Sequence, residues 1–240
     1  MRFAIFGDIH ANLHALHAVM EDAQENSCER FVCMGDIVGY NAYPRECVEF
    51  VRSLDCPVVR GNHDEQVCLE KTSPEWNPLA EEAIDWTRRK LSPEDIEWLR
   101  GLRLQRQVLD FTIVHATLDS PVGWRYVTSE LDAEASFSYQ RTPLCFIGHT
   151  HTPKVYIRDG RVRIEELNVL QLKKNEKYLV NVGSVGQPRD GDWRAAYCIY
   201  DTDSAEIYLR RIPYDVDGAR QAILDAGLPR KLSERLAKGK

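Results

Sequence analysis

Short apolar runs alternate with helix-like segments through the first half of the chain. The runs are short enough for buried strands and lie at residues 3–6, 31–34, 56–59 and 112–114. Between them, residues 12–25 and 44–54 repeat apolar side chains at helical spacing. This alternation predicts βαβ units with parallel neighbouring strands, and it restricts the chain to an α/β fold.

The second half carries strands that follow one another without helices between them. Residues 154–167 alternate apolar and polar side chains around Asp159-Gly160, which is a hairpin signal. Residues 195–212 repeat this pattern with a turn near residues 201–204. Together with the first half, these hairpins predict two stacked sheets with helices on the outside.

A helical pair is inserted at about residues 77–101, and a helical tail occupies about 215–240. Asn77-Pro78 and Ser92-Pro93 are each typical of an N-cap followed by a proline at the first helical position. The pair could be an ordinary packed hairpin, a lid, or the surface of a homodimer. Because the chain has no repeat and no low-complexity linker, residues 1–240 are expected to form a single domain.

The charge and the cysteines argue against several classes of partner. A net charge of -6 over 240 residues disfavours generic attraction to nucleic acid or to an anionic membrane, so no stable nucleic-acid complex is expected. No apolar stretch is long enough to span a bilayer, and Asp8 interrupts the first run too early for a signal peptide. The seven cysteines include no CxxC pair, which is typical of reduced thiols in a cytoplasmic protein.

Five predicted strands end in side chains that can bind a ligand. In chain order these are Asp8 and His10, then Asp36, then Asn62 with His63 and Asp64, then His115, and finally His149 and His151. Open α/β sheets bind ligands at the carboxyl ends of their strands. Each residue alone could be a turn, a cap or a packed core group, but their recurrence at five strand ends predicts one shared site. His14 and His17 fall inside the first helical pattern, where we expect them to pack or to face solvent.

These motifs occur in a characteristic order. D-x-H, G-D, G-N-H-D, a lone H and G-H-x-H, running from Asp8 to His151, resemble the motifs of the calcineurin-like metallophosphoesterases. The later stretch GSVGQPRDG, residues 183–191, resembles a loop of the small prokaryotic branch of that superfamily. With the AGLP of the tail, the resemblance covers almost the whole chain. It implies a four-layer αββα sandwich of two mixed sheets flanked by helices, in agreement with the α/β pattern above.

The resemblance also implies a dinuclear metal site. One cation would be held by Asp8, His10, Asp36 and His151, and the second by Asp36, Asn62, His115 and His149, with Asp36 as the bridge. Nitrogen and oxygen donors without thiolate suit Mn, Fe or Zn, and manganese is the expected metal. Two divalent cations against two carboxylates leave about two net positive charges, enough to hold hydroxide and a phosphoryl group.

The implied reaction is hydrolysis of a phosphoester by a hydroxide that bridges the two cations. His63 is expected to hydrogen-bond the transition state or to protonate the leaving oxygen, and Asp64 either to orient His63 or to lie in a surface turn. Tyr40 stands where protein serine/threonine phosphatases carry a phosphate-binding arginine, which argues against phosphoprotein substrates and makes Tyr40 a candidate substrate contact. Arg189 is a candidate for binding a substrate phosphate, or for a salt bridge beside its own turn.

The resemblance favours a small phosphodiester or a nucleotide as substrate, dinucleoside polyphosphates included. A broad phosphomonoesterase is the alternative enzyme. A third hypothesis is a binding module that kept the fold and lost turnover, like the retromer subunit of this fold, which lacks the histidine of the G-N-H motif. This chain keeps that histidine as His63. Trp124 and Tyr126 could stack a nucleobase, or they could be buried core aromatics.

Overall fold

Eleven strands and eight helices make up the computed structural model, which describes residues 1–240. The strands are β1 Arg2–Phe6, β2 Arg30–Cys33, β3 Gln105–Val108, β4 Phe111–Val114, β5 Leu144–Ile147, β6 Lys154–Arg158, β7 Val162–Glu165, β8 Val169–Gln171, β9 Lys177–Asn181, β10 Ala195–Asp201 and β11 Glu206–Ile212. The helices are α1 Leu13–Glu25, α2 Pro44–Ser53, α3 Asn62–Val67, α4 Pro78–Lys90, α5 Pro93–Gly101, α6 Glu130–Tyr139, α7 Val216–Asp225 and α8 Arg230–Leu236. A short 3-10 turn, Pro121–Gly123, lies between β4 and α6.

The strands form two mixed sheets. The first has the order β2-β1-β10-β11-β8, in which β1 and β2 are parallel and the other neighbours are antiparallel. The second has the order β3-β4-β5-β9-β6-β7, in which β4, β5 and β9 run parallel. The hairpins predicted at Asp159-Gly160 and near residues 201–204 are β6–β7 and β10–β11.

The two sheets pack face to face, and helices cover both outer faces. In β1, Phe3 and Ile5 belong to the core between the sheets, whereas Ala4 and Phe6 belong to the core beneath α1 and α2. Alternate residues of a strand face opposite sides, so a strand buried on both faces needs an unbroken apolar run. Helix α6 covers the other sheet. The predicted αββα sandwich is therefore confirmed.

The apolar run at residues 56–59 does not form the predicted strand. It makes only isolated bridges, to Cys33 and to Arg103. Pro57 has no N–H to donate to a ladder, and the chain enters α3 shortly afterwards. The run still lies beside the end of β2, so it brings the start of α3 to the same edge of the sheet.

The inserted pair and the tail form the helices that the sequence predicts. The side chains of Asn77 and Ser92 cap the N-termini of α4 and α5. The tail forms α7 and α8, and residues 226–229 separate them. Trp86 Nε1 in α4 donates a 3.1 Å hydrogen bond to the carbonyl of Ala226, and the three helices share one apolar cluster with Tyr40. Helices α4, α7 and α8 therefore pack together beside the strand ends.

No helix of the molecule combines the length and apolar character needed to cross a membrane.

Candidate metal centre

The polar residues at the strand ends converge on one edge of the molecule. Asp8 and His10 follow β1, Asp36 follows β2, Asn62 and His63 begin α3, His115 follows β4, and His149 and His151 follow β5. All of them are buried except Asn62, which is partly buried. The parallel strand ends thus deliver these side chains to one place, as the sequence predicts.

Two groups of donor atoms form here, and both include Asp36. The first group is Asp8, His10, Asp36 and His151, and the second is Asp36, His115 and His149, with the donor atoms of each group within 4.8 Å of one another. Asp36 Oδ2 lies 3.6 Å from His10 Nε2 and 3.4 Å from His115 Nε2. Asp8 Oδ1 lies 3.2 Å from His151 Nε2. One carboxylate therefore faces both groups.

Main-chain carbonyl groups fix the orientation of all four imidazoles. The Nδ1 atoms of His10, His115 and His151 donate to the carbonyls of Val38, Met34 and Gln187, and His149 Nε2 donates to the carbonyl of Trp124. A carbonyl only accepts, so the ring nitrogen that contacts it carries the proton. When such a ring is neutral, its other nitrogen presents a lone pair, and this arrangement is the usual support for a metal-binding histidine.

The donor set fits divalent cations. Asn62 Oδ1 and His115 Nε2 are buried without a hydrogen-bond partner, and buried polar atoms of this kind cost free energy unless a ligand pairs with them. The Nε2 atoms of His10 and His151 lie 3.0 Å apart, so their lone pairs oppose each other unless a cation lies against both. Nitrogen and oxygen donors without thiolate suit Mn, Fe and Zn alike.

Burial and charge set the protonation of these imidazoles. Burial lowers the pKa of His149 to about 4 and the pKa of His10 and His151 well below its usual value. These rings are neutral at pH 7, which is the form that binds metal ions. Burial is also the largest single influence on His115 and lowers its pKa, but the interactions with Asp36, Asp8 and the Met34 carbonyl together outweigh burial and raise the pKa of His115 to about 10. The carboxylates therefore attract positive charge to the centre.

The main chain is strained at the residues that carry the centre. The backbone angle φ is positive at five of them, namely Asp8 (48°), His10 (49°), Asp36 (50°), His149 (70°) and His151 (59°). A non-glycine residue in this left-handed region costs about 1–3 kcal/mol. Main-chain hydrogen bonds hold these turns, among them Asp8 N–H to the carbonyl of Gly35 and His10 N–H to the carbonyl of Asp36, both 2.9 Å. Strain of this kind is concentrated at functional sites.

Two glycines of the motifs leave room for the two carboxylates of the centre. A Cβ atom on Gly61 would lie 2.1 Å from Asp36 Oδ1, and a Cβ atom on Gly148 would lie 2.4 Å from Asp8 Oδ2. Both distances are far below van der Waals contact. The glycine of G-N-H-D is therefore required by the Asp36 carboxylate, and the first glycine of G-H-T-H is required by the Asp8 carboxylate.

Replacing Gly61 with alanine is expected to disrupt the centre, because the new methyl group must displace the Asp36 carboxylate or the start of α3. We expect manganese binding to weaken by about tenfold or more, as when a group that supports a metal ligand is lost. Calorimetric titration with Mn²⁺ measures this. Gly101→Ala is the matched control, since a Cβ atom there meets nothing within 4 Å. Wild-type manganese affinity in Gly61→Ala would contradict the placement of Asp36.

His63 lines the cleft above the two donor groups, and Asp64 does not contact its side chain. The His63 ring centre lies 4.5 Å from that of Tyr40 and 4.8 Å from that of Trp76, and its Nδ1 has no hydrogen-bond partner. Asp64 is buried, and its carboxylate accepts hydrogen bonds from the main-chain N–H groups of Asp36, Ile37, Val38 and Gly61. Both expectations for Asp64, orienting His63 and lying in a surface turn, are therefore wrong. The first turn of α3 directs this carboxylate towards the loop of Asp36, which it holds in place.

Tyr40 and Arg189 both face the cleft. The buried ring of Tyr40 has its centre 4.8 Å from that of His10. Arg189 Cζ lies 5.9 Å from the centre of the Tyr40 ring, and its Nε and Nη2 donate to Gln187 Oε1. Arg189 has no carboxylate partner, so the salt bridge that was the alternative for this residue does not form.

A cleft of about 330 Å³ opens over the centre. Its lining also includes residues that the sequence did not connect with the centre, namely Glu75, Trp76, Asn77 and Ala80. The cap at Asn77 was visible in the sequence, but nothing there showed that this end of α4 adjoins the strand ends. Tyr126 is 51% exposed and stacks on His149 with ring centres 4.4 Å apart, so the alternative of core burial is wrong for Tyr126.

Comparison with known proteins agrees with this architecture. Residues 1–205 match the model of the calcineurin-like phosphoesterase superfamily domain. An uncharacterized protein from Methanocaldococcus jannaschii is 37% identical over 99% of this chain and 98% of its own length. The crystal structure of a metallophosphoesterase from Sphaerobacter thermophilus is 38% identical, with a TM-score of 0.90 over 100% of this chain and 99% of that one. A protein from Pyrococcus horikoshii OT3 shares the fold at 19% identity, with a TM-score of 0.83 over 100% of this chain and 98% of that one.

The matched ranges cover the whole sandwich and include the positions of both donor groups. The family match spans every strand end that carries a donor, from Asp8 to His151. The likeness to the Sphaerobacter thermophilus enzyme continues beyond that match, through α7 and α8. This chain belongs to the calcineurin-like phosphoesterase superfamily and is a metal-dependent phosphoester hydrolase.

Proposed function

We propose that this protein is a dinuclear phosphodiesterase that hydrolyses a small phosphodiester or nucleotide, with dinucleoside polyphosphates within its range. The single observation that carries the proposal is the position of Asp36. Its Oδ2 lies 3.6 Å from His10 Nε2 and 3.4 Å from His115 Nε2, so one oxygen adjoins both donor groups. A carboxylate in that position suits a pair of cations better than two separate sites.

The proposed ligand sets follow the two groups. Asp8, His10, Asp36 and His151 hold one cation, and Asp36, Asn62, His115 and His149 hold the other, with Asn62 included because its buried Oδ1 has no other partner. Manganese is the proposed metal, and iron or zinc would find the same donors. When bound, such a pair supplies an activated water and charge to stabilise the phosphoryl oxygens.

Side chains of the protein supply the proton for the leaving oxygen and position the loop that carries Asp36. His63 lies against the cleft with one ring nitrogen unpaired, and its proposed role is to donate a proton to the leaving oxygen. Asp64 positions the loop of Asp36 through four main-chain N–H groups. Tyr40 and Trp76 pack against the His63 ring and limit its movement.

The cleft supports a small substrate. A volume of about 330 Å³ lies at the lower end of the range for small-molecule sites. The exposed ring of Tyr126 lies over His149 and offers a stacking surface for a nucleobase. A nucleoside attached to the phosphate would use this surface, whereas a simple phosphomonoester would not need it.

Hydrolysis of bis(p-nitrophenyl) phosphate by the manganese-loaded protein tests this proposal, with p-nitrophenyl phosphate as the paired monoester. We expect release of nitrophenol from the diester and none after chelation. Release from the monoester alone would replace the proposal with a broad phosphomonoesterase. No release from either compound, with manganese shown to be bound, would favour the binding module.

A further inference from the structure

Two arginines flank Tyr40 at the edge of the cleft. Arg189 belongs to the loop after β9, and Arg235 belongs to α8 in the tail. Their Cζ atoms each lie 5.9 Å from the centre of the Tyr40 ring. That ring is in turn 4.5 Å from the ring of His63, so both guanidinium groups are within reach of a molecule held at the metal centre.

These two arginines differ from the other partly buried arginines in having no aspartate or glutamate partner. The others all form ion pairs, namely Arg60, Arg88, Arg158, Arg163, Arg210, Arg211 and Arg220. Arg189 donates to Gln187 Oε1, and Arg235 Nε donates to the main-chain oxygen of Lys240. Burial, and then the charge of Arg189, lowers the pKa of Arg235. Two like charges therefore lie beside Tyr40 with no aspartate or glutamate paired to either of them.

Both arginines line a cavity of about 200 Å³. Tyr40, Asn77, Leu79, Ala80 and Tyr126 complete its lining, so Arg189 and Arg235 are its only charged residues. Tyr40, Asn77, Ala80, Tyr126 and Arg189 also line the cleft over the metal centre. The cavity therefore adjoins that cleft, and Arg189 lines both.

We propose that Arg189 and Arg235 form a second anion-binding subsite, which takes a phosphate group of the substrate other than the one that is hydrolysed. Guanidinium groups bind phosphate through paired N–H donors, and an anion here would remove the repulsion between the two charges. The inference rests on the proposed function and narrows its substrate class to molecules with two phosphate groups, such as a nucleotide diester that bears a further phosphate.

Two chromogenic substrates that differ by one phosphate test the subsite. Thymidine 5′-(p-nitrophenyl phosphate) has only the scissile phosphate, and its 3′-phosphorylated form has a second one. We expect the wild type to favour the 3′-phosphorylated compound in kcat/KM, and Arg235→Gln to reduce this preference by about tenfold or more, the size expected for one lost charged hydrogen bond. Arg235→Lys should restore part of the preference. An unchanged preference in Arg235→Gln would overturn the subsite.

Arg230→Gln is the matched control, because Arg230 lies on the same helix, is exposed and pairs with Glu234. This substitution removes the same charge at a residue that does not line the cavity, so the preference for the 3′-phosphorylated substrate should stay as in the wild type. An equal loss in both variants would assign the effect to net charge and overturn the subsite.

A binding measurement separates failure of the subsite from failure of the proposed function. Inorganic pyrophosphate is titrated calorimetrically into the chelated proteins, so no hydrolysis is involved. Binding by the wild type that weakens about tenfold or more in Arg235→Gln but not in Arg230→Gln supports the subsite, even if neither nitrophenyl compound is hydrolysed. Equal binding by all three proteins, or none by the wild type, overturns it.

Discussion

Asp36→Asn is expected to lose both metal ions, because the charged oxygen that both donor groups share becomes a neutral amide. The asparagine keeps the volume of Asp36, and its Oδ1 can still accept the 2.8 Å hydrogen bond from His63 N–H, so the fold should survive. We expect manganese affinity to fall by about a hundredfold or more, beyond the loss seen for residues that only support a ligand. Elemental analysis after gel filtration measures the retained metal.

Thermal unfolding gives a second readout of the same change. A bound cation at a hundredfold excess over its Kd stabilises a protein by about 2.7 kcal/mol, which corresponds to roughly 5–10 °C in Tm for a chain of this size. Chelation should therefore lower the Tm of the wild type by that amount and leave Asp36→Asn almost unaffected. Asp22→Asn, a change outside the centre at a carboxylate that pairs with Arg210, is the control and should respond to chelation like the wild type. Two equivalents of metal retained by Asp36→Asn would contradict the proposal that Asp36 binds both cations.

His63→Ala is expected to keep both metal ions and to lose turnover. His63 lies in neither donor group, so its removal leaves the proposed ligands intact. Loss of a general acid lowers the rate by about 10²-fold or more. The loss should depend on the leaving group, because nitrophenolate departs without a proton and a nucleoside alkoxide does not. Turnover of thymidylyl-thymidine should therefore fall much more than turnover of bis(p-nitrophenyl) phosphate.

Two further variants make this result interpretable. His63→Asn fills part of the space beside Tyr40 and Trp76 and should behave like His63→Ala, which excludes collapse of the cleft as the cause. His17→Ala removes an exposed histidine of α1 and should leave both rates unchanged. If the two substrates lost the same factor in His63→Ala, His63 would not be the proton donor.

The sequence predicted the fold and the composition of the centre because both depend on local patterns. A strand buried on both faces must be apolar throughout, as residues 3–6 are, and parallel strands must end at a common edge. Asp8 and His10 therefore had to approach Asp36, and His115 had to approach the residues of G-H-T-H, whereas the packing of the two sheets brings these two groups together. The hairpins and the capped helices were equally local, since each depends on a turn or a cap of two or three residues.

The parts that sequence reasoning missed are set by contacts between distant segments. Asp64 was expected to orient His63 because the two residues are adjacent. Neighbouring side chains of a helical turn point in different directions, however, and the Asp64 carboxylate contacts the loop of Asp36 instead. Arg235 lies in the helical tail, where nothing in the sequence connected it with the cleft, and only the packing of α8 against Tyr40 brings it there. Residues 56–59 had the composition of a strand, but Pro57 removed the donor that pairing requires.

The left-handed turns at Asp8, His10, Asp36, His149 and His151 also bear on how the protein acquires its metals. Their geometry is held by main-chain hydrogen bonds within the protein, so the donors are in place before any cation arrives. Metal binding then requires no change in these turns. The metal found in the cell would follow from which ions are abundant there, and one protein could work with different metals as that supply changes.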